Sequence, residues 1–302
     1  MNGCECKPAR SESAVARNSK RRVQPRKIDL KGPMSRFIAL IGLLCVLPSS
    51  AFATWSVVAV DRNTGRIVIA SATCLALEEP RSLKAVQAVI VPGVGVAVCQ
   101  ALIDNSGRNQ AIVFEELKKG TDPKAIVSLL HADPGVERRQ YGIVDLNGRS
   151  AGFSGANNPQ TSMDRQGEVS GTGIFYSIQG NILRGESVIT EAVRAFVESQ
   201  GALTDRVMAA MEAGDLMGGD SRCSCATTPG ASAPCDGKTS HVAYILMAEK
   251  TDTSGTSFNN GTYSMYITVT QGTIRPDENE NPVKTLRLRY DAWRKTQPAS
   301  FR

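Results

Sequence analysis

Ala51-Phe52-Ala53 followed by Thr54-Trp55-Ser56-Val57-Val58-Ala59-Val60-Asp61 is the stretch from which the rest of the chain is read. Its second part is rich in β-branched and aromatic residues with no turn former, so Thr54–Val60 reads as a strand. It is apolar on both faces, which suits a sheet covered on both sides. Asp61-Arg62-Asn63-Thr64-Gly65 turns the chain into a second such run, Ile67–Thr73, giving a hairpin. Upstream, Phe37–Leu47 (FIALIGLLCVL) is an unbroken apolar run. It is shorter than the about 20 residues that span a bilayer. Arg36 precedes it, and Pro48, two serines and Ala-Phe-Ala follow, the pattern of a secretory signal with an A-x-A cleavage site. With Met34 as the start, residues 34–53 read as the signal peptide, 1–33 as a discarded leader and 54–302 as a single mature domain. The alternative is an uncut membrane anchor. Cleavage after Ala53 makes Thr54 the first residue of the first strand.

The leader also carries the charge. The full chain is +6, with 35 Lys+Arg against 29 Asp+Glu, and residues 1–53 hold 10 of the former and 3 of the latter. The remaining 25 and 26 nearly cancel, so no basic surface argues for nucleic acid. Arg21-Arg22 lie too far from the apolar run to act as a twin-arginine signal. The expected location is secreted or periplasmic, with no stable membrane association after cleavage. A homo-oligomer is left open.

Ala85–Val91 and Val94–Ala101 read as a second strand pair around Pro92-Gly93. Gln110–Lys119 is an amphipathic helix ended by Gly120. Asp122-Pro123 opens another with a cap and an N1 proline, running to about His131. Gln140–Asp145 and Ser150–Ser154 are strands around Asn147-Gly148, and Ser177–Leu183 is a further strand. Glu186–Gln200 and Thr204–Ala213 read as helices. A Gly/Ser/Thr/Pro/Cys loop spans about Met217 to Ser240. Val242–Glu249 pairs with Thr262–Thr270, and Val283–Lys295 is a closing helix introduced by Asn281-Pro282. Strands come in hairpin pairs and helices in pairs, unlike the alternation of a doubly wound fold. The expectation is α+β: two stacked antiparallel sheets with helix pairs outside, a four-layer αββα sandwich.

Several chemistries are poorly served. The two histidines are His131, at a helix end, and His241, ahead of a strand; neither brings the surroundings of a Ser-His-Asp triad. There is no HExxH, no zinc-finger spacing, no phosphate-binding Walker loop and no dinucleotide fingerprint. No cofactor or metal is called for. The mature cysteines are Cys74, Cys99, Cys223, Cys225 and Cys235. In a secreted chain they suggest disulfides with one thiol left over. Cys235 would pair with Cys223 or Cys225, and the other of those two with Cys74. A three-cysteine zinc site or a reactive thiol is the weaker reading.

A threonine at a free N-terminus carries its hydroxyl beside an α-amine, which titrates at about 7.7–8.0. The amine can serve as general base and the hydroxyl as nucleophile toward an amide or ester carbonyl, with no histidine required. The alternative is a threonine that only begins a strand.

The chain resembles the DUF1028 family, which is classed with the N-terminal nucleophile (Ntn) hydrolases. The resemblance rests on Thr54–Asp61 with Thr64-Gly65 and Ile69-Ala70-Ser71-Ala72, on Val91-Pro92-Gly93-Val94-Gly95-Val96, on Cys99-Gln100-Ala101 and on Arg139-Gln140-Tyr141-Gly142-Ile143-Val144-Asp145. It continues through Gln179-Gly180-Asn181-Ile182-Leu183, Gly218-Gly219-Asp220-Ser221-Arg222-Cys223 and Tyr290-Asp291-Ala292-Trp293-Arg294. It implies the αββα Ntn fold and hydrolysis of an amide in a small molecule or short peptide. Two departures stand out. The Cys-rich insertion Cys223–Lys238 replaces a Gly-x-Gln-Ser-Ala run, and Thr73-Cys74 stands where some relatives carry a histidine. The catalytic candidates are Thr54 as nucleophile and base, Asn181 as oxyanion donor, and Ser71 and Thr73 beside the terminus. Asp220, Arg222 and, more weakly, Gln100 are candidates for holding the amine or the substrate. A non-catalytic secreted ligand-binding or structural domain is the alternative function.

Overall fold

The computed structural model describes residues 54–159, 161–227 and 233–298. The leader 1–33, the signal 34–53 and the cleavage site expected at Ala53 lie outside them. The first element is the strand that the sequence singled out, β1 (Thr54–Asp61), paired antiparallel with β2 (Arg66–Thr73) through the expected hairpin. β3 (Ala88–Val91), β4 (Gly95–Ala101), β5 (Arg139–Asp145) and β6 (Ser150–Ser154) follow, then β7 (Thr161–Val169), β8 (Ile174–Leu183), β9 (Val242–Ala248) and β10 (Met265–Thr270). All the pairings are antiparallel. One sheet has the order β10-β9-β2-β1-β8-β7, the other β3-β4-β5-β6. The fold is α+β, as expected.

Among the described residues the α-helices are α1 (Leu83–Gln87), α2 (Arg108–Lys118), α3 (Pro123–Leu130), α4 (Ser187–Glu198), α5 (Leu203–Leu216) and α6 (Pro282–Thr296). Three apolar clusters explain why the strands are apolar on both faces. Trp55, Val57 and Ala59 of β1 pack with Val188, Phe196, Met211 and Leu286 of α4, α5 and α6. Val58 and Val60, on the opposite face of the same strand, pack with Ile90, Val96 and Val144 of the second sheet. That sheet's other face, with Val89, Ala97 and Ile143, meets Val113, Leu117 and Ile126 of α2 and α3. Each large aliphatic side chain so buried contributes about 1.5–3 kcal/mol.

Two expectations need correction. The strand read from Ala85 begins only at Ala88, because Ser82 caps the short helix α1 by accepting from the Ala85 N–H (3.3 Å). Strand β7 was not anticipated. Its sequence TSMDRQGEV lacks apolar alternation because it is an edge strand, half exposed and paired only with β8.

The cysteines form Cys74–Cys223 and Cys225–Cys235, with Cys99 free and buried. Of the two pairings left open, this is the one with Cys225 closing the loop and Cys223 reaching Cys74. Such bonds suit an oxidising compartment. Among the described residues, no helix is long and apolar enough to cross a membrane, and no group of three His, Cys, Asp or Glu could hold a metal ion.

Candidate active site

Thr54 heads the central strand of the six-stranded sheet. It stands opposite Thr73 of β2 on one side and Asn181 of β8 on the other. Alternation along β1 puts Thr54, Ser56, Val58 and Val60 on the face toward the second sheet. The same rule turns Thr73 and Ser71, and Asn181 and Gln179, to that face. The structure therefore brings Thr54, Thr73 and Asn181 together in one row. Ser71 lies opposite Ser56, one rung further in, and its hydroxyl donates to the Trp55 carbonyl (3.0 Å). Thr73 Oγ1 accepts from the Leu75 N–H (3.3 Å). Thr54 is 2% exposed.

Gln100 reaches Thr54 from the facing sheet, donating from Nε2 to the Thr54 carbonyl (3.3 Å). It also belongs to a closed ring of side chains between the sheets. Ser56 Oγ donates to Gln100 Oε1 (2.6 Å), and Gln100 Nε2 to Gln140 Oε1 (2.7 Å). Gln140 Nε2 donates to Ser154 Oγ (2.7 Å), which donates to Asp164 Oδ2 (2.6 Å). Gln166 Nε2 donates to Asp164 Oδ1 and to Ser177 Oγ (both 3.1 Å). Ser177 Oγ donates to Gln179 Oε1 (2.7 Å), and Gln179 Nε2 closes the ring on Ser56 Oγ (2.7 Å). The in-register pair Gly142 and Gly152 makes room for it. A Cβ on Gly142 would lie 2.0 Å from Gln179 Oε1, and one on Gly152 2.0 Å from Gln166 Nε2.

Asp220 and Arg222 sit at the head of β1. The Asp220 carboxylate takes a fork from Arg222 (Nε to Oδ1 3.0 Å, Nη2 to Oδ2 2.7 Å) and the Cys74 N–H (2.8 Å). Asp220 is also bridged to Leu183 at the end of β8, with Ser221 N–H donating to the Ile182 carbonyl (3.2 Å). Cys74 follows Thr73 on one neighbour of β1, and Leu183 lies just past Asn181 on the other. Asp220 thus bonds to residues at the ends of both β2 and β8, the two neighbours of β1, and the Cys74–Cys223 disulfide ties its loop to β2. Two residues in this corner have left-handed backbones, Ala101 (φ 68°) after Gln100 and Ile182 (φ 52°) after Asn181. A β-branched residue at positive φ is an outlier costing on the order of 1–2 kcal/mol. Here both outliers adjoin a polar side chain aimed at the Thr54 row.

The other titratable groups are less suited to chemistry. Burial pushes the Cys99 thiol far up, with Asp104 adding to the effect, so it stays protonated. Cys99 belongs to the cluster under α2 and α3, on the face turned away from Thr54. Burial and the Lys238 charge hold His241 below the usual histidine range, against a hydrogen bond to Gln271 that raises it. His131 caps the C-terminus of α3 and packs on Phe153. Burial raises the Asp215 carboxyl, although Thr239 and Asn281 both donate to it. Thr54 and Gln100 line a recess of about 10 Å³ with Leu75, Leu77, Leu83, Val86 and Ile103. That is the threshold for a single water.

The sequence reading missed the other members of the ring: Ser56, Gln140, Ser154, Asp164, Gln166, Ser177 and Gln179. A signal for most of them was present. Ser56, Gln100, Gln140, Ser177 and Gln179 are polar residues in otherwise apolar strands, all on the same side of the sandwich interior.

An α+β fold whose central strand opens on a buried threonine defines the class. A family model for DUF1028, a family of unknown function, matches residues 54–232, and the chain belongs to that family. The crystal structure of protein SPO2555 from Silicibacter pomeroyi, also a DUF1028 protein, is similar in fold. It has a TM-score of 0.58 at 21% identity, over 82% of this chain and 91% of that one. No curated protein matches the sequence.

Proposed function

We propose that this chain is a secreted Ntn-type hydrolase of αββα architecture that cleaves an amide bond in a small molecule or short peptide. Thr54, freed by signal cleavage, is its nucleophile. The observation that carries the reading is the head of β1. On the face between the sheets the threonine stands in one row with Thr73 and Asn181, and Asp220 bonds to both flanking strands, through the Cys74 N–H and the bridge to Leu183. The chemistry then balances without a cofactor. The Thr54 hydroxyl passes its proton to its own α-amine as Oγ1 bonds to the substrate carbonyl carbon. The Asn181 amide donates to the developing oxyanion. The C–N bond breaks, the α-ammonium gives its proton to the leaving amine, and water hydrolyses the Thr54 ester.

The test begins with the intact mass and N-terminal sequence of the exported protein, expected to start at Thr54. Hydrolysis of amide and activated-ester probes is then compared in wild type, Thr54→Ser and Thr54→Ala. The expectation is partial activity in Thr54→Ser and a loss of at least about a thousandfold in Thr54→Ala, the scale of losing a nucleophile that acts as a unit with its base. A start elsewhere, or equal behaviour in all three, would leave a non-catalytic ligand-binding or structural domain.

A further inference from the structure

We infer that the substrate of the Thr54 site carries an apolar aliphatic acyl group, seated over Leu75, Leu77, Leu83, Val86 and Ile103; this rests on Thr54 being the nucleophile. These five residues share a recess with Thr54, Gln87, Gln100 and Ala101; the Gln87 amide is engaged, donating to the Tyr244 hydroxyl (3.2 Å). Leu83 and Ile103 are buried, whereas Leu75, Leu77 and Val86 are half-buried and stand between the recess and the outside.

Val86 and Ile103 also wall a cleft of about 450 Å³ between α1 and the start of α2. That volume falls in the ordinary range of small-ligand sites. The cleft's polar groups bond to one another on its far rim. Arg81 Nη2 donates to Asn105 Oδ1 (2.8 Å), and the Asp104 carboxylate accepts from Ser106 and from the Asn109 N–H (2.9 Å). The side nearer Thr54 is aliphatic. The recess beside Thr54 holds only about one water until Leu75 and Leu77 change rotamer, whereas the cleft beyond is large enough for several methylenes.

Chemistry decides which half of the substrate goes there. The leaving amine must take a proton from the α-ammonium and depart into water, and a lining of mostly aliphatic side chains, with the Gln87 and Gln100 amides already engaged, serves it poorly. The acyl side has no such need and gains with each methylene buried. An apolar acyl chain therefore lies along the recess and cleft, and the amine faces solvent.

The probes are p-nitrophenyl esters of acetate, butyrate and octanoate, with the matching N-acyl aminocoumarins, applied to protein shown by mass to begin at Thr54. Acyl-enzyme is located by peptide mapping. The expected result is acylation of Thr54 at least tenfold faster by octanoyl than by acetyl. Ile103→Asp, or the half-exposed Leu77→Asp should the first fail to fold, should bring the octanoyl-to-acetyl ratio close to one. A wild-type ratio of one or below on an acylated Thr54 overturns the acyl assignment and leaves the nucleophile standing. No acylation of Thr54 by any ester, in protein that begins there, overturns the nucleophile and the acyl assignment with it.

Discussion

The two ends of the layer between the sheets are built on different principles. At one end, Val58, Val60, Ile67, Ile69, Val96 and Val144 belong to one buried apolar cluster. At the other, along the same strands, Ser56, Gln100, Gln140, Ser177 and Gln179 join the ring that runs beneath Thr54. The apolar end holds the sheets together but is non-directional: its members need only fill the volume. The ring adds little net stability per bond, about 0.5–1.5 kcal/mol, but fixes where each side chain sits. The sheets are bound at one end and registered at the other, and Thr54 lies at the registered end.

The strongest way to break the contrast is to remove the Cys74–Cys223 disulfide, which pins Asp220 at that end. Its 149-residue separation sets an upper bound of about 5 kcal/mol on the lost stabilisation. Chemical denaturation of Cys74→Ser/Cys223→Ser should show a loss of about 2–5 kcal/mol. Next is Gln140→Leu, which removes the acceptor of Gln100 Nε2 and the donors to Ser154 and the Gly180 carbonyl. It should cost about 2–4 kcal/mol, since buried partners left unpaired cost about 1–3 kcal/mol each. A cycle with Gln100→Leu should show coupling above about 1 kcal/mol, whereas Val58→Ala should add to Gln140→Leu within about 0.5 kcal/mol. Additivity in the ring pair would mean that it is no network.

Gly142→Ala sharpens the contrast further. The added methyl would overlap Gln179 Oε1, at a cost of about 1–3 kcal/mol. Shortening the neighbour with Gln179→Ser should return part of that in a thermal melt, and no rescue would locate the strain elsewhere.

The smallest effect is one of pH. His241, whose backbone N–H donates to the Thr73 carbonyl (2.7 Å), has its folded pKa below its ordinary 6.5. The unfolded chain therefore binds the proton first, and stability is lost as pH falls below about 6.5. His241→Gln should flatten that part of the stability profile. An unchanged slope would place the titration on another group.

Both the hairpin at β1 and the pairing of helices were legible because apolar period and turn residues agreed at those points. Asp122-Pro123 and Asn281-Pro282 cap their helices as their sequences imply. β7 was illegible because an edge strand that carries Asp164 and Gln166 into a polar ring has no apolar face to announce it. Ala85–Gln87 read as strand but belong to the helix Leu83–Gln87, because five residues are too few for a helical period to show. Of the candidate site, Thr73 could be placed beside Thr54 from the hairpin alone, whereas Asn181 stands out only for its Gly180-Asn181 step, and no spacing along the chain puts it in the same row. The ring could not be foreseen, because it joins six strands from two sheets and no spacing along the chain reports that closure. Asp220 and Arg222 do meet, but as a fork within one loop, and their place near the head of β1 depends on a disulfide to a residue 149 positions away.

The Cys74–Cys223 disulfide that holds Asp220 has a practical side. It joins two residues that both lie after Thr54, so a cut just ahead of Thr54 severs no covalent link between the strand ends. On the reading proposed above, making the domain and arming it are separate operations. A longer chain, with the nitrogen of Thr54 tied up in a peptide bond, should be inert, and a protease site engineered just ahead of that residue should switch it on.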